Sequence, residues 1–216
     1  MELWAPEHIA ALAVTAGGAI LLAHRCHPVP IARALALCIL AAFVAEQATY
    51  ALRGEWTLRV NLPFQLTDAV TLVAVAALWR AQAALLIELL YFWAFSASLQ
   101  ALVTPDLGRP FPDVLYFTYF VTHAGAVFAA CLLVLGCRRL PRRGAVWRVY
   151  GLTAGFAGLA AIATLATGGN YMFLRRKPVH GSLLDVMGPW TWYFLAAAAV
   201  GLVIFLALDA FARALR

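Results

Sequence analysis

Seven long apolar runs, none alternating at period two, leave this chain few folds to choose from. They run from about His8 to Leu22, Ile31 to Leu52, Leu62 to Trp79, Ala83 to Val103, Leu115 to Leu135, Val146 to Thr167 and Pro189 to Phe211. Each is close to the ~20 residues that a bilayer core demands of a helix. Backbone groups in hydrocarbon must be satisfied within their own segment, and Ala/Leu-rich runs without alternation select a helical bundle over a barrel. The chain is 64% hydrophobic and only 12% charged, outside the range of soluble globular domains. The expectation is all-α: one polytopic transmembrane helical bundle filling residues 1–216 as a single domain. The stretch MELWAPEH ahead of the first run carries no basic segment, so a removable signal peptide is not expected.

Basic residues set the orientation. With the N-terminus outside and the C-terminus inside, ten of the sixteen Lys and Arg residues face the cytoplasm, including the RRLPRR cluster from Arg138 to Arg143. That asymmetry accounts for much of the +6 charge through anionic lipid, so nucleic acid is not needed as a partner. A multi-pass protein of the plasma membrane, a bacterial inner membrane by composition, is expected. Cys26, Cys38, Cys131 and Cys137 have no metal-type spacing, and two fall at proposed cytoplasmic ends, so a disulfide framework is not expected. Oligomeric state is not readable.

The loops assigned to the outer side carry the more varied chemistry: RGEWTLRVNLP, TPDLGRPFPD and GGNYMFLRRKPVHGSLLDVMGP. Pro63 and Pro189 are placed to begin helices, and Gly168 with Gly169 to end one in a left-handed cap. Trp56, Tyr91, Trp93, Tyr171, Trp190, Trp192 and Tyr193 fit interfacial aromatic belts.

Within the apolar runs Glu46, Thr67, Asp68 and His123 stand out, all about one to two helical turns from the proposed outer ends. Ionisable groups in lipid are costly unless paired or set in a wet cavity, which makes them functional candidates. Three pairs at i, i+4 spacing give each helix a polar face: Glu46 with Tyr50, Thr67 with Thr71, and Tyr119 with His123. A hydroxyl beside a histidine base can attack an acyl carbonyl, so Thr67 reads as the nucleophile and His123, the one histidine assigned to a span interior, as the general base. Asp68 or Glu46 would orient the imidazole. Asn61, Gln65, Tyr119, Asn170 and Asp185 are candidate substrate contacts, and Arg175 and Arg176, in a run with Lys177 and His180, suit a lipid phosphate. Against this stand plain readings: a threonine bonding its own preceding carbonyl, a histidine bridging helices, carboxylates pairing with Arg53, Arg59 or Arg175. Glu88 lies too near the inner end to join the set. No metal or other cofactor is called for: metal-type pairs are missing, and without a lysine in any span a retinal Schiff base has no amine.

The strings NLPFQLTD, TPDL, FTYFVTHAG, NYMFLRRKP and SLLDVMGPWTWYF, spread over Asn61 to Phe194, resemble the YwaF-like family of bacterial integral membrane proteins. That group is related to an animal cysteine-type acyltransferase that remodels ether phospholipids. The resemblance implies a transmembrane acyl-transfer site with its nucleophile at Thr67 and its histidine at His123. Gln65 and Thr67 stand where the family pattern commonly has His and Cys, and threonine is the weaker nucleophile. The androgen-induced hydrolases, similar in pairing a membrane threonine with a histidine to cleave fatty-acid esters of hydroxy fatty acids, offer a parallel for the substitution. The expected function is an intramembrane lipid ester hydrolase or acyltransferase acting on a membrane lipid or fatty-acyl ester. The alternative is a non-catalytic transporter, receptor or scaffold binding a lipid-like ligand.

Overall fold

The computed structural model describes residues 4–178 and 183–216, with the side chains of Leu183, Trp190 and Thr191 also outside the description. All regular structure in these residues is helical: α1 (Pro6–Ala23), α2 (Val29–Leu52), α3 (Leu66–Trp79), α4 (Ala84–Val103), α5 (Val114–Gly136), α6 (Ala145–Thr167) and α7 (Trp190–Ala214). Six of the seven are long and apolar enough to cross a bilayer. The chain is a polytopic helical membrane protein. Proline opens α1 and α2 at positions where a missing N–H costs nothing, and Gly168 ends α6 at φ 71°.

α3 is the exception to the expected spans. Leu62 to Gln65 are not helical, so Pro63 begins no helix, and α3 has only 14 residues. At ~1.5 Å per residue it rises ~21 Å, well short of the ~30 Å hydrocarbon core. Pro189, by contrast, sits at the N-cap of α7.

The missing length falls at one end, because the other end is tied level. Arg139 Nη1 donates to the Ala81 carbonyl at 2.9 Å, joining the α5–α6 connection to the α3–α4 connection. Cys26 and Cys137 form a disulfide that joins the α1–α2 connection to the end of α5. That bond corrects the sequence expectation. Two cysteines 111 residues apart carry no spacing signal, and only the packing of α1 on the last turns of α5 brings them together. It lies on the arginine-rich end of the bundle, which the charge bias would put in a reducing cytoplasm, so the two signals pull against each other.

α2, α3 and α5 form the centre, meeting through small residues such as Ala36, Ala74, Ala77, Ala126 and Ala130 that let helix backbones approach closely. Gly136 allows a backbone approach of the same kind: a Cβ there would lie 2.5 Å from the carbonyl oxygens of both Leu22 and Arg25. These are backbone atoms held by the adjoining disulfide. Gly136→Ala is therefore expected to destabilise the fold by about 1–3 kcal/mol through overpacking. Thermal unfolding in detergent checks this; an unchanged midpoint would mean that the end of α1 shifts freely.

Buried aromatics also depart from expectation. Tyr91 and Tyr171 are wholly buried and Trp93 nearly so. Tyr91 donates to the Leu208 carbonyl, and Trp93 Nε1 to Thr153, so both bridge α4 to neighbouring helices instead of marking a membrane boundary.

Candidate active site

With the arginine-rich ends level, helix rise gives the height of each candidate. Thr67 stands 12 residues from the end of α3, His123 13 from the end of α5 and Glu46 17 from the start of α2, that is ~18, ~20 and ~26 Å. Short α3 thus ends beneath the opposite membrane surface, carrying Thr67 and Asp68 in its first turn. The three helices that bear these residues pack on one another.

What fills the gap above α3 is the connection from Arg53 to Gln65, and Tyr171 holds it down. Its hydroxyl donates to the Leu58 carbonyl at 2.7 Å and accepts from the Leu62 N–H at 3.1 Å, while its own N–H donates to Thr164. Burial pushes the phenol upward from its ordinary value. Gln65 Oε1 accepts from the Met172 N–H, where the chain turns through left-handed φ angles at Met172 and Phe173. The NYMF string is therefore the clamp that seats the N-terminus of α3. Asn61 Oδ1 accepts from the Thr57 N–H, and Asn170 braces the following turn by accepting from the N–H groups of Arg175 and Arg176. These expected substrate contacts are engaged in shaping the loops.

Two ion pairs fasten the neighbouring connections. Arg53 forms a two-pronged pair with Asp113, and Arg109 pairs with Glu55 at 2.7 Å. Neither Glu46 nor Asp68 pairs with Arg53, Arg59 or Arg175. Asp113 also caps α5 by accepting from the Leu115 N–H. The Arg53 hydrogen bond, then that cap, holds its carboxyl below the usual range. A lowered carboxyl contributes stability above its unfolded value and loses it as pH falls through the lowered one. Asp113→Asn is therefore expected to flatten the acid limb of a thermal-midpoint titration below about pH 4; an unaltered limb would refute the assignment.

His123 is nearly buried and lies stacked on Tyr119, with ring centroids 4.1 Å apart. Its Nδ1 lies 2.7 Å from the Tyr119 carbonyl oxygen. A carbonyl only accepts, so Nδ1 carries the proton and Nε2 presents a lone pair, the form a general base needs. Nε2 makes no hydrogen bond among the described residues. His8, the second histidine within a helix, is also wholly buried, but both its nitrogens are used: Nδ1 by the Trp4 N–H and Nε2 by the Leu102 carbonyl. The free nitrogen sets His123 apart.

Thr67 differs from its neighbours in the same way. Thr71 donates back to the Thr67 carbonyl, Thr122 to the Thr118 carbonyl and Thr153 to the Val149 carbonyl, the usual resting state of a membrane hydroxyl. Among the described helical Ser and Thr residues, only Thr67 and Ser98 leave the hydroxyl without a hydrogen bond. Thr67 and His123 do not bond each other. Asp68 accepts from the Gln65 N–H at the head of α3, and neither it nor Glu46 bonds the imidazole. Glu46 is near enough to Asp68 and to Tyr119 to act on both electrostatically.

Glu88 stands apart as expected, wholly buried and held by Arg142 and Arg148 near the arginine-rich end. No group of three His, Cys, Asp or Glu residues is arranged to hold a metal among the described residues. His180 lies outside them. Arg175 and Arg176 are exposed, and Asp185 sits in a short 3-10 turn (Leu183–Met187) whose carbonyl at Asp185 accepts from Lys177.

The model of the TMEM164 family matches residues 3–209, nearly the whole length. The chain belongs to the TMEM164 family. Its helical, membrane-spanning architecture agrees with that membership. No curated protein and no solved structure matches the chain.

The sequence pointed to Thr67 and His123 but not to their surroundings. Tyr171 reads from sequence as a belt residue, and its burial beneath the Arg53–Gln65 connection is visible only in the fold. Ser98 carried no sequence signal, because its distinction is a missing partner inside a π-helical turn.

Proposed function

We propose that this member of the TMEM164 family is an intramembrane acyl-ester enzyme, a hydrolase or acyltransferase, with Thr67 as nucleophile and His123 as base. The observation that carries the reading is an unbonded hydroxyl and an unbonded imidazole nitrogen standing at one depth on two helices that pack together, beneath the opposite membrane surface. Thr67 Oγ attacks the ester carbonyl carbon as its proton passes to His123 Nε2. The tetrahedral intermediate collapses, the leaving alkoxide takes that proton, and the acyl group remains on Thr67. Water or a second lipid hydroxyl then attacks, giving its proton to His123, and Thr67 leaves with it.

Local surroundings favour these steps. The first-turn N–H groups of Leu66 and Thr67 have no partners among the described residues, and a helix N-terminus favours developing negative charge. Tyr119 fixes the imidazole by its carbonyl and its ring. Arg59 Nε and Arg175 Nη1 both lie 3.8 Å from the point where a Cβ on Gly168 would stand, so one phosphate oxygen set could meet both guanidiniums. We place this end outside, in the plasma membrane of a bacterium, in line with the charge bias. The resemblance to YwaF-like proteins and to the androgen-induced hydrolases supports the same chemistry.

A second reading, carriage or sensing of a lipid-like ligand without bond cleavage, is favoured by one observation: Thr67 and His123 are not hydrogen-bonded. Incubating the protein in nanodiscs with a panel of phospholipid and hydroxy-fatty-acid esters, alongside an alkyl fluorophosphonate, separates the two. Acyl release or transfer with labelling mapped to Thr67 is expected. Saturable lipid binding with neither turnover nor labelling would establish the second reading instead.

A further inference from the structure

A second unbonded hydroxyl, that of Ser98, stands at a similar height in the bundle. Ser98 is wholly buried, and its Oγ has no hydrogen-bond partner. A near neighbour shows how unusual this is: Ser96, two residues earlier, donates to the Phe92 carbonyl at 2.6 Å. A sealed hydroxyl without a partner forfeits a hydrogen bond that water would have supplied, a cost that persists where a ligand makes up the loss.

Its position follows from the register of α4 and α5. α4 widens into a π-helical turn over Ala94–Ser98, and that turn packs against both α3 and α5. Such turns recur at functional sites, since the extra residue rotates one side chain out of the regular pattern. α4 and α5 run antiparallel, and Tyr119 of α5 donates to the Ala101 carbonyl of α4 at 2.8 Å. Three residues back along α4 and three forward along α5 bring Ser98 level with Thr122 and His123. Counted from the start of α4, Ser98 stands ~21 Å up, within one turn of the heights of Thr67 and His123. Leu102, one turn above it on the same helical face, belongs to one buried cluster with Tyr116, Phe120 and Ala124 of α5.

We infer that Ser98 is a carbonyl-binding hydroxyl of the acyl-ester site, donating to the ester oxygen that becomes the oxyanion when Thr67 attacks. The inference rests on the acyl-ester reading above. It assigns the ligand's polar end to the junction of α3, α4 and α5, with the acyl chain in the lipid-facing space beside it. The bond strengthens as charge grows on the oxygen, so the donor acts on turnover more than on binding.

The test uses an ester labelled with carbon-13 at the carbonyl. In the Thr67→Ala protein, which holds ester without cleaving it, infrared difference spectra should show a carbonyl band shifted to lower frequency than in bilayer lipid. Ser98→Ala added to that background should return the band to its bilayer position. With Thr67 intact, Ser98→Ala should lower kcat by roughly 10²-fold with little change in KM, the size of effect seen when one oxyanion donor is removed. The fold should survive, because the deleted hydroxyl bonds nothing, and an unchanged thermal midpoint verifies that. A downshifted band that persists in Ser98→Ala overturns the inference while leaving the acyl-ester reading intact. Failure of the wild-type protein to bind or turn over any ester overturns both.

Discussion

Thr67→Ala is expected to lower acyl-ester turnover by roughly 10³-fold or more, and His123→Ala to match it, because nucleophile and base act as one unit. The double variant should then be little worse than either single one. Such non-additivity distinguishes a shared proton transfer from two independent contributions to substrate binding, which would multiply. The Thr67 hydroxyl is unbonded in the resting protein, so its loss should appear without a fall in thermal midpoint, whereas His123→Ala also forfeits the Nδ1 bond and the stack on Tyr119 and should lower the midpoint as well. Thr67→Ser keeps the attacking oxygen and should retain most of the rate. His123→Gln keeps an amide able to hydrogen-bond but cannot accept a proton at neutral pH, and should fall with His123→Ala. Initial rates with a single ester in nanodiscs, fitted for kcat and KM separately, provide the measurement. Full activity in Thr67→Ala would end the proposed mechanism, and multiplicative losses would recast both residues as binding groups.

The bundle was legible because lipid imposes its rules segment by segment: a run such as Ile31 to Leu52 declares a spanning helix with no knowledge of its neighbours. α3 shows where that logic stops. Leu62 to Gln65 are as apolar as many helical stretches, yet Tyr171, over a hundred residues away, captures the Leu62 N–H and the Leu58 carbonyl, and the Met172 N–H holds the Gln65 side chain. The same kind of distance hides the Cys26–Cys137 bond and the burial of Tyr91 and Trp93. Site residues divide along similar lines. Thr67, His123 and Glu46 were visible because polarity inside an apolar run is a local anomaly. Asn61, Gln65 and Asn170 looked alike as loop amides, and only their partners reveal that they serve the backbone. Ser98 could not be distinguished from Ser96 by sequence, since both sit in one short polar patch and differ only in whether the hydroxyl is bonded.

Removal of the Glu88 carboxylate is expected to be the most damaging single change to stability. Oε1 accepts from the Arg142 N–H, Arg142 Nε and Arg148 Nη2, and Oε2 from Arg142 Nη2 and Arg148 Nε. The carboxylate side chain is 1% exposed, whereas the two arginine side chains are 56% and 41% exposed. Glu88→Ala strands two guanidiniums beside an apolar void and frees the connection that leads into α6. Breaking a fully buried pair costs about 3–5 kcal/mol, and the partly solvated arginines bring the expectation down to about 2–4 kcal/mol. Glu88→Gln retains one acceptor oxygen and should lose roughly half as much. Because Glu88 lies about ten residues, or ~15 Å of helix, from the level of His123, kcat measured below the new midpoint should be unchanged. Thermal unfolding of the purified variants, read beside ester turnover at low temperature, separates the two roles. A midpoint equal to wild type would show that the arginines find other partners, while a loss of kcat without a loss of stability would draw Glu88 into the chemistry from which its depth excludes it.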